Sequence, residues 1–252
     1  GKKKAPRRKA KKGIVYFLSG THAPGEIRGF SEAGSHIGTT VPNCTASCVR
    51  EYKKLKGTDT KVFVDSGAFS EVARSGPPVV VKPMTDSDWK KVFALYKKLA
   101  PLGDNLYVVA PDQIGNQDVS LERLSRYLVD LVELAEEGVN IIVPIQKGRS
   151  KDDTLEEYDA AAFGIIDDFW SPVANQFSVE LLKKKFIRGI PSNKGAPTTS
   201  ELKSYFQAIK PKRVHFLGMG PSQKGKWKQF KPVVERYIPN ADISMDSVRI
   251  TA

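Results

Sequence analysis

The 252-residue chain has little cysteine, little histidine and no long apolar run, and each shortage excludes something. Its two cysteines, Cys44 and Cys48, cannot make a disulfide framework, and two sulfurs four residues apart are not a zinc site by themselves. They read as small residues near a helix start, in a reducing compartment, a cytoplasm. No stretch approaches the length of a membrane span, so no membrane partner is expected. Ile14–Leu18 is too short for a signal-peptide core, and the sequon Asn43-Cys44-Thr45 carries no weight without a secretion signal. No GxGxxG and no P-loop opens a helix, which leaves a nucleotide-cofactor fold unsupported, and no cofactor or metal is expected.

Acidic residues are also scarce: 28 against 40 Lys and Arg, for a formal charge of +12. Much of the excess is local. Lys2, Lys3, Lys4, Arg7, Arg8, Lys9, Lys11 and Lys12 occupy residues 1–12 with no acid among them. Such a block repels itself and suits a polyanion, most simply nucleic acid; the alternative is a solubilising tail. Lys53, Lys54, Lys56 and Lys183-Lys184-Lys185 extend the basic bias into residues 13–252, which are expected to form the folded domain.

What the chain has is a series of short apolar runs that end in polar or small residues. Val62-Phe63-Val64 reads as a buried strand running into Asp65-Ser66-Gly67-Ala68-Phe69, which places a carboxylate at a strand's C-terminal lip. Strands are also expected at 14–18, 106–110, 141–145, 186–187, 214–217 and 243–245, with a degenerate one at Ile165-Ile166. Helices are expected over 43–56, 85–99, 118–137, 151–163, 179–185, 198–209 and 222–237, and a long Gly/Ser/Thr/Pro-rich loop over 20–42. This alternation predicts an α/β fold, an irregular (β/α)8 barrel of TIM type in one domain; an open doubly wound sheet is the runner-up.

In a barrel the strand ends Asp65, Asp112, Gln146, Gly189, Gly218 and Asp246 converge on one face. Paired carboxylates suit glycosyl chemistry, one at C1′ and one moving protons. Asp112 and Gln146 suit the edge of a purine-like base, Gly189 leaves room for a backbone contact, and Phe69 offers a stacking face. The plain alternative is that such Asp residues are helix N-caps.

The ordered series Asp65-Ser66-Gly67-Ala68-Phe69, Ala110-Pro111-Asp112-Gln113, Pro144-Ile145-Gln146-Lys147-Gly148, Arg188-Gly189-Ile190, His215-Phe216-Leu217-Gly218-Met219-Gly220 and Met245-Asp246-Ser247-Val248 resembles the motifs of the tRNA-guanine transglycosylase superfamily. The resemblance implies a barrel fold, Asp246 as nucleophile and Asp65 as general base. It implies a base pocket of Ser66, Gly67, Phe69, Asp112, Gln146, Gly189, Ile190 and Met219. The family's zinc subdomain has no counterpart, because the two cysteines lie far upstream of Asp246; Ala68 stands where the family has glycine. The chain is thus most similar to the compact phage and bacterial DNA transglycosylases. The implied activity is exchange of guanine in DNA for a 7-deazaguanine, such as 7-cyano-7-deazaguanine, through an Asp–glycosyl intermediate, a DNA modification that evades restriction. DNA, with a flipped base or single-stranded, would be the partner. The alternatives are a tRNA enzyme needing a partner subunit, and a non-catalytic nucleic-acid-binding barrel.

Overall fold

The computed structural model describes residues 13–170, 177–219 and 224–247. The basic block Lys2–Lys12 lies outside the described residues. Eight parallel strands close into a barrel in chain order: β1 Val15–Leu18, β2 His36–Thr40, β3 Val62–Asp65, β4 Leu106–Val109, β5 Asn140–Pro144, β6 Phe186–Pro191, β7 Arg213–Leu217 and β8 Asp242–Ser247. Pairing of Phe17 with Asp246 and Leu18 with Ser247 joins β8 back to β1, so the sheet has no edge, and the open doubly wound alternative is excluded. Around it lie α1 Pro24–Glu32, α2 Ala46–Lys53, α3 Asp86–Leu99, α4 Gln117–Arg126, α5 Leu128–Glu136, α6 Leu155–Trp170, α7 Phe177–Lys183, α8 Thr199–Ile209 and α9 Lys224–Tyr237. No helix among the described residues is long and apolar enough to cross a membrane.

The strand alternation divides the core in two. One set of side chains, including Ile37, Val62, Val64, Leu106, Val108, Ile141, Val143 and Phe216, packs outward against the helices. The other set fills the barrel: Phe17, Phe63, Tyr107, Val109, Ile142 and Ile187. Three of these rings interlock, with Phe17 centred 5.6 Å from Phe63 and 5.1 Å from Tyr107. The lumen is therefore packed, as small parallel barrels require.

Four local expectations are corrected. Residues 20–42 are not one loop, because they hold α1 and β2. β2 escapes pattern recognition because Ile37 is its one large apolar residue; at Gly38 an added Cβ would stand 3.2 Å from the Phe63 ring. Ile165-Ile166 is not a strand but part of α6, where Ile166 is buried against the core. The expected helix over 118–137 is two helices, broken at Tyr127. Its ring stacks on Phe93 at 5.1 Å and its hydroxyl donates to Asp86 of α3. The helix expected over 43–56 is shorter: a 3-10 turn covers Val41–Asn43 and α2 begins at Ala46, capped by Thr45. By contrast α3 starts where its capping chemistry puts it, with Thr85 and Asp88 exchanging reciprocal bonds.

Candidate active site

A cavity of about 310 Å³ opens at the C-terminal rim of the barrel. Asp65, Asp112 and Asp246 line it, with Gln146, Phe63, Phe69, Leu217, Gly218, Ser19 and Lys194. Three strand-end carboxylates therefore do converge, as the barrel reading requires.

Asp65 is the last residue of β3. Its Oδ2 accepts a bond of 3.3 Å from the Gly67 N–H, which Gly67 can offer because it turns the chain at φ 85°. Burial pushes the Asp65 carboxyl up to about 6, and the Asp246 charge adds to that push. Asp246 is held from two sides: its Oδ1 accepts 2.9 Å bonds from His215 Nε2 and from the Gly218 N–H. With Nε2–H spent on Asp246, His215 Nδ1 is left to accept from the Ser244 hydroxyl at 2.8 Å. The His215 ring, fully buried, stacks on Phe63 at 5.1 Å and 14°. This stack fixes the imidazole and through it the Asp246 carboxylate.

Asp112 follows β4 and is almost fully buried. Its Oδ2 accepts a 2.6 Å bond from Gln146 Nε2, while Gln146 Oε1 accepts from the Gly115 N–H at 3.0 Å. Both ends of the Gln146 amide are thus engaged inside the protein. Behind them stands a buried ion pair. Glu71, wholly buried, accepts from Arg123 at 2.5 and 3.1 Å, and Arg123 also donates to the Asp112 carbonyl. Gln113 Nε2 donates to Glu71 at 2.8 Å. The pair ties the loop after β3, which carries Phe69, to the loop after β4, which carries Asp112. Burial pushes the Asp112 carboxyl up to about 7, helped by Asp65 and opposed by Arg123.

This tight hold on the proton has a measurable consequence. A carboxyl raised from the ordinary range to about 7 binds its proton more tightly folded than unfolded, so its contribution to stability is present near pH 4 and lost as pH rises through 7. Asp112→Asn should therefore match the wild type in urea unfolding at pH 4. At pH 8 it should be the more stable by roughly 1–3 kcal/mol, since each tenfold change in proton affinity is worth about 1.4 kcal/mol and relaxation returns part of it. An equal difference at both pH values would refute the raised proton affinity.

Not all sequence-expected site residues reach the cavity. Asp65, Phe69, Asp112, Gln146 and Asp246 line it. Ser66 and Gly67 line a separate surface groove with Pro42 and Lys82. Ile190 and Met219 pack outward into the helix-side core. Gly189 faces the packed lumen, where an added Cβ would stand 2.7 Å from Ile142. His215, Ser19 and Lys194 are not among the expected residues. His215 opens the segment His215–Gly220 and shares strand parity with the cavity-lining Leu217, and that parity is the physical signal that points to it.

No family model matches this chain, and no curated protein sequence matches it. Among solved structures it is similar to an L-ribulose 3-epimerase, at 12% identity and a TM-score of 0.49 over 94% of this chain and 82% of that one. It is also similar to a D-allulose 3-epimerase from Methylomonas sp., at 11% identity and a TM-score of 0.48 over 92% and 84%. A xylose isomerase domain-containing protein from Salmonella typhimurium follows at 12% and 0.46 over 96% and 92%. Likeness at this level is a likeness of fold.

The first two are sugar 3-epimerases and the third contains a xylose isomerase domain; none is a tRNA-guanine transglycosylase. The superfamily resemblance, the DNA-guanine transglycosylase activity, the glycosyltransferase class and the DNA and 7-deazaguanine partners are corrected accordingly, as are the tRNA and DNA-modification readings. The physical reason is that a parallel barrel repeats strand-end Asp and Gly whatever its chemistry, because rim loops need caps and turns. The folded domain's basic runs are also partly neutralised: Lys183 pairs with Asp167 at 3.2 Å, Lys185 with Asp104 at 2.6 Å and Lys54 with Glu51 at 2.8 Å.

Proposed function

We propose that the barrel mouth is the active site of an acid–base enzyme that moves a proton on a small polar molecule, chemistry of the isomerisation and epimerisation class. One observation carries this reading. Asp65 and Asp246 line the same open cavity, and burial, with the Asp246 charge adding to it, pushes the Asp65 carboxyl up to about 6. Like charges that share a site cannot both ionise freely, so one becomes donor and the other acceptor. Asp65 is the donor. Asp246 is the acceptor, since two donors aimed at Oδ1 suit a carboxylate that begins the reaction as the anion. The substrate gives a proton to Asp246 and takes one from Asp65. The two carboxyls exchange protonation states, and no group leaves the substrate. Phe63 and Phe69 supply apolar walls that keep bulk water from competing for the proton.

The test is proton exchange with solvent. Small keto-alcohols and hydroxy acids incubated with the protein in D2O should incorporate deuterium at a carbon-bound position, followed by NMR. The rate should fall as pH rises through about 6, where Asp65 loses its proton. A panel that shows no incorporation above the protein-free control, at any pH from 4 to about 8, would sink the reading.

A further inference from the structure

Two polar atoms on the cavity wall have no hydrogen-bond partner among the described residues: Ser19 Oγ and Lys194 Nζ, both buried. A buried ammonium without an anion is costly, and so to a lesser degree is a buried hydroxyl without a bond. Lys194 sits in the loop between β6 and α8, with Gly195 turning the chain behind it at φ 70°. Its ammonium stands 5.9 Å from the centre of the Phe69 ring, a contact that gives a cation little compared with an anion. The charge that moves Asp65 is that of Asp246, and those that move Asp112 are Asp65, Arg123 and Glu71. The cavity thus has carboxylates held by internal donors, and a cation and a hydroxyl that bond to none of the described residues.

We propose that the cavity takes a substrate bearing an oxyanion, a carboxylate or a phosphate, which Lys194 binds through its buried ammonium, with Ser19 bonding a hydroxyl of the same molecule. The inference rests on the barrel mouth being the reaction site. It adds the class of molecule: anionic at one end, with the reacting carbon towards Asp65 and Asp246. Bound there, the oxyanion supplies the countercharge that no described residue supplies, and it fixes which carbon faces the carboxylates.

The experiment is a pair of amide chemical-shift titrations, one with inorganic phosphate and one with acetate. One of the two should give saturable shifts at the Phe69, Lys194 and Gly218 amides, and the arm that binds tells phosphate from carboxylate. Lys194→Gln should weaken that binding at least about tenfold, the loss of one charge-assisted bond, while Lys194→Arg should keep most of it. Lys194→Gln should also melt at or above the wild-type temperature, since it removes an uncompensated charge. Three results would overturn the proposal: no shift at these amides with either anion, unchanged affinity in Lys194→Gln, or a melting temperature lowered by several degrees. The titration reads binding without turnover, so failure of the proton-transfer chemistry and failure of oxyanion binding are told apart.

Discussion

Asp65→Asn should lower deuterium incorporation by roughly 10²–10⁴-fold, the range that a positioned proton donor contributes. The amide keeps the shape of the carboxyl, and its oxygen can still accept from the Gly67 N–H, so the loop conformation should survive. What it cannot do is carry a proton to the substrate. The variant should also lose the fall in rate near pH 6, because the group responsible for that limb has gone. Residual activity should then be flat across that interval. Rates measured from pH 4 to about 8 in both proteins check the magnitude and the limb together. A variant that kept more than a tenth of wild-type exchange, with the limb still in place, would move the donor role to Asp112, the other cavity carboxyl with a raised value.

Glu71→Gln should cost about 3–5 kcal/mol of stability, the penalty for leaving a buried charge without its partner. The pair is a demanding case. Glu71 is fully enclosed, its two oxygens take three bonds from Arg123 and Gln113, and Arg123 lies over the Trp89 ring at 5.2 Å. A glutamine would keep the shape but leave the guanidinium uncompensated beside the Asp112 carbonyl. With m of roughly 2–3 kcal/mol/M in urea, the midpoint should drop by about 1–2.5 M. Replacing both partners with apolar residues, as in Glu71→Leu/Arg123→Met, should recover most of the loss, because then no charge is stranded. A Glu71→Gln midpoint within about 0.3 M of wild type, or less than about 1 kcal/mol, would mean that water reaches the guanidinium and shields it.

The barrel is legible in the sequence because its strands are enclosed on both faces. Such strands read as uninterrupted apolar runs, as in Leu106–Val109 and Ile141–Ile145, and their lips end in Asp, Gln or Gly. β2 is hidden by the opposite circumstance, a strand whose middle is a glycine, where a Cβ would crowd Phe63 at 3.2 Å. The carboxylates of the site are legible for the same reason as the strands, being placed by the ends of the runs. Their chemistry is not. A motif series built on strand-end Asp and Gly restates the barrel, and it cannot separate one rim reaction from another. His215 lies inside an apolar run, where a single histidine reads as core. Its role depends on the pairing of β7 with β8, which the whole of α9 separates in the chain. Lys194, in Ser192-Asn193-Lys194-Gly195, has the composition of an ordinary solvent turn. Nothing in four such residues says that the ammonium is turned inward.

The interlocked rings of Phe17, Phe63 and Tyr107, with His215 laid against Phe63, close the barrel beneath the carboxylates. The cavity is a cul-de-sac. Whatever enters by the rim must leave by the rim, and a product that differs from its precursor only in the position of a proton occupies the same seat. Substrate and product are then mutually exclusive occupants. Reaction progress should slow by simple competition as product accumulates, and the forward and reverse directions should show the same pH limb, since both draw on the same two carboxyls.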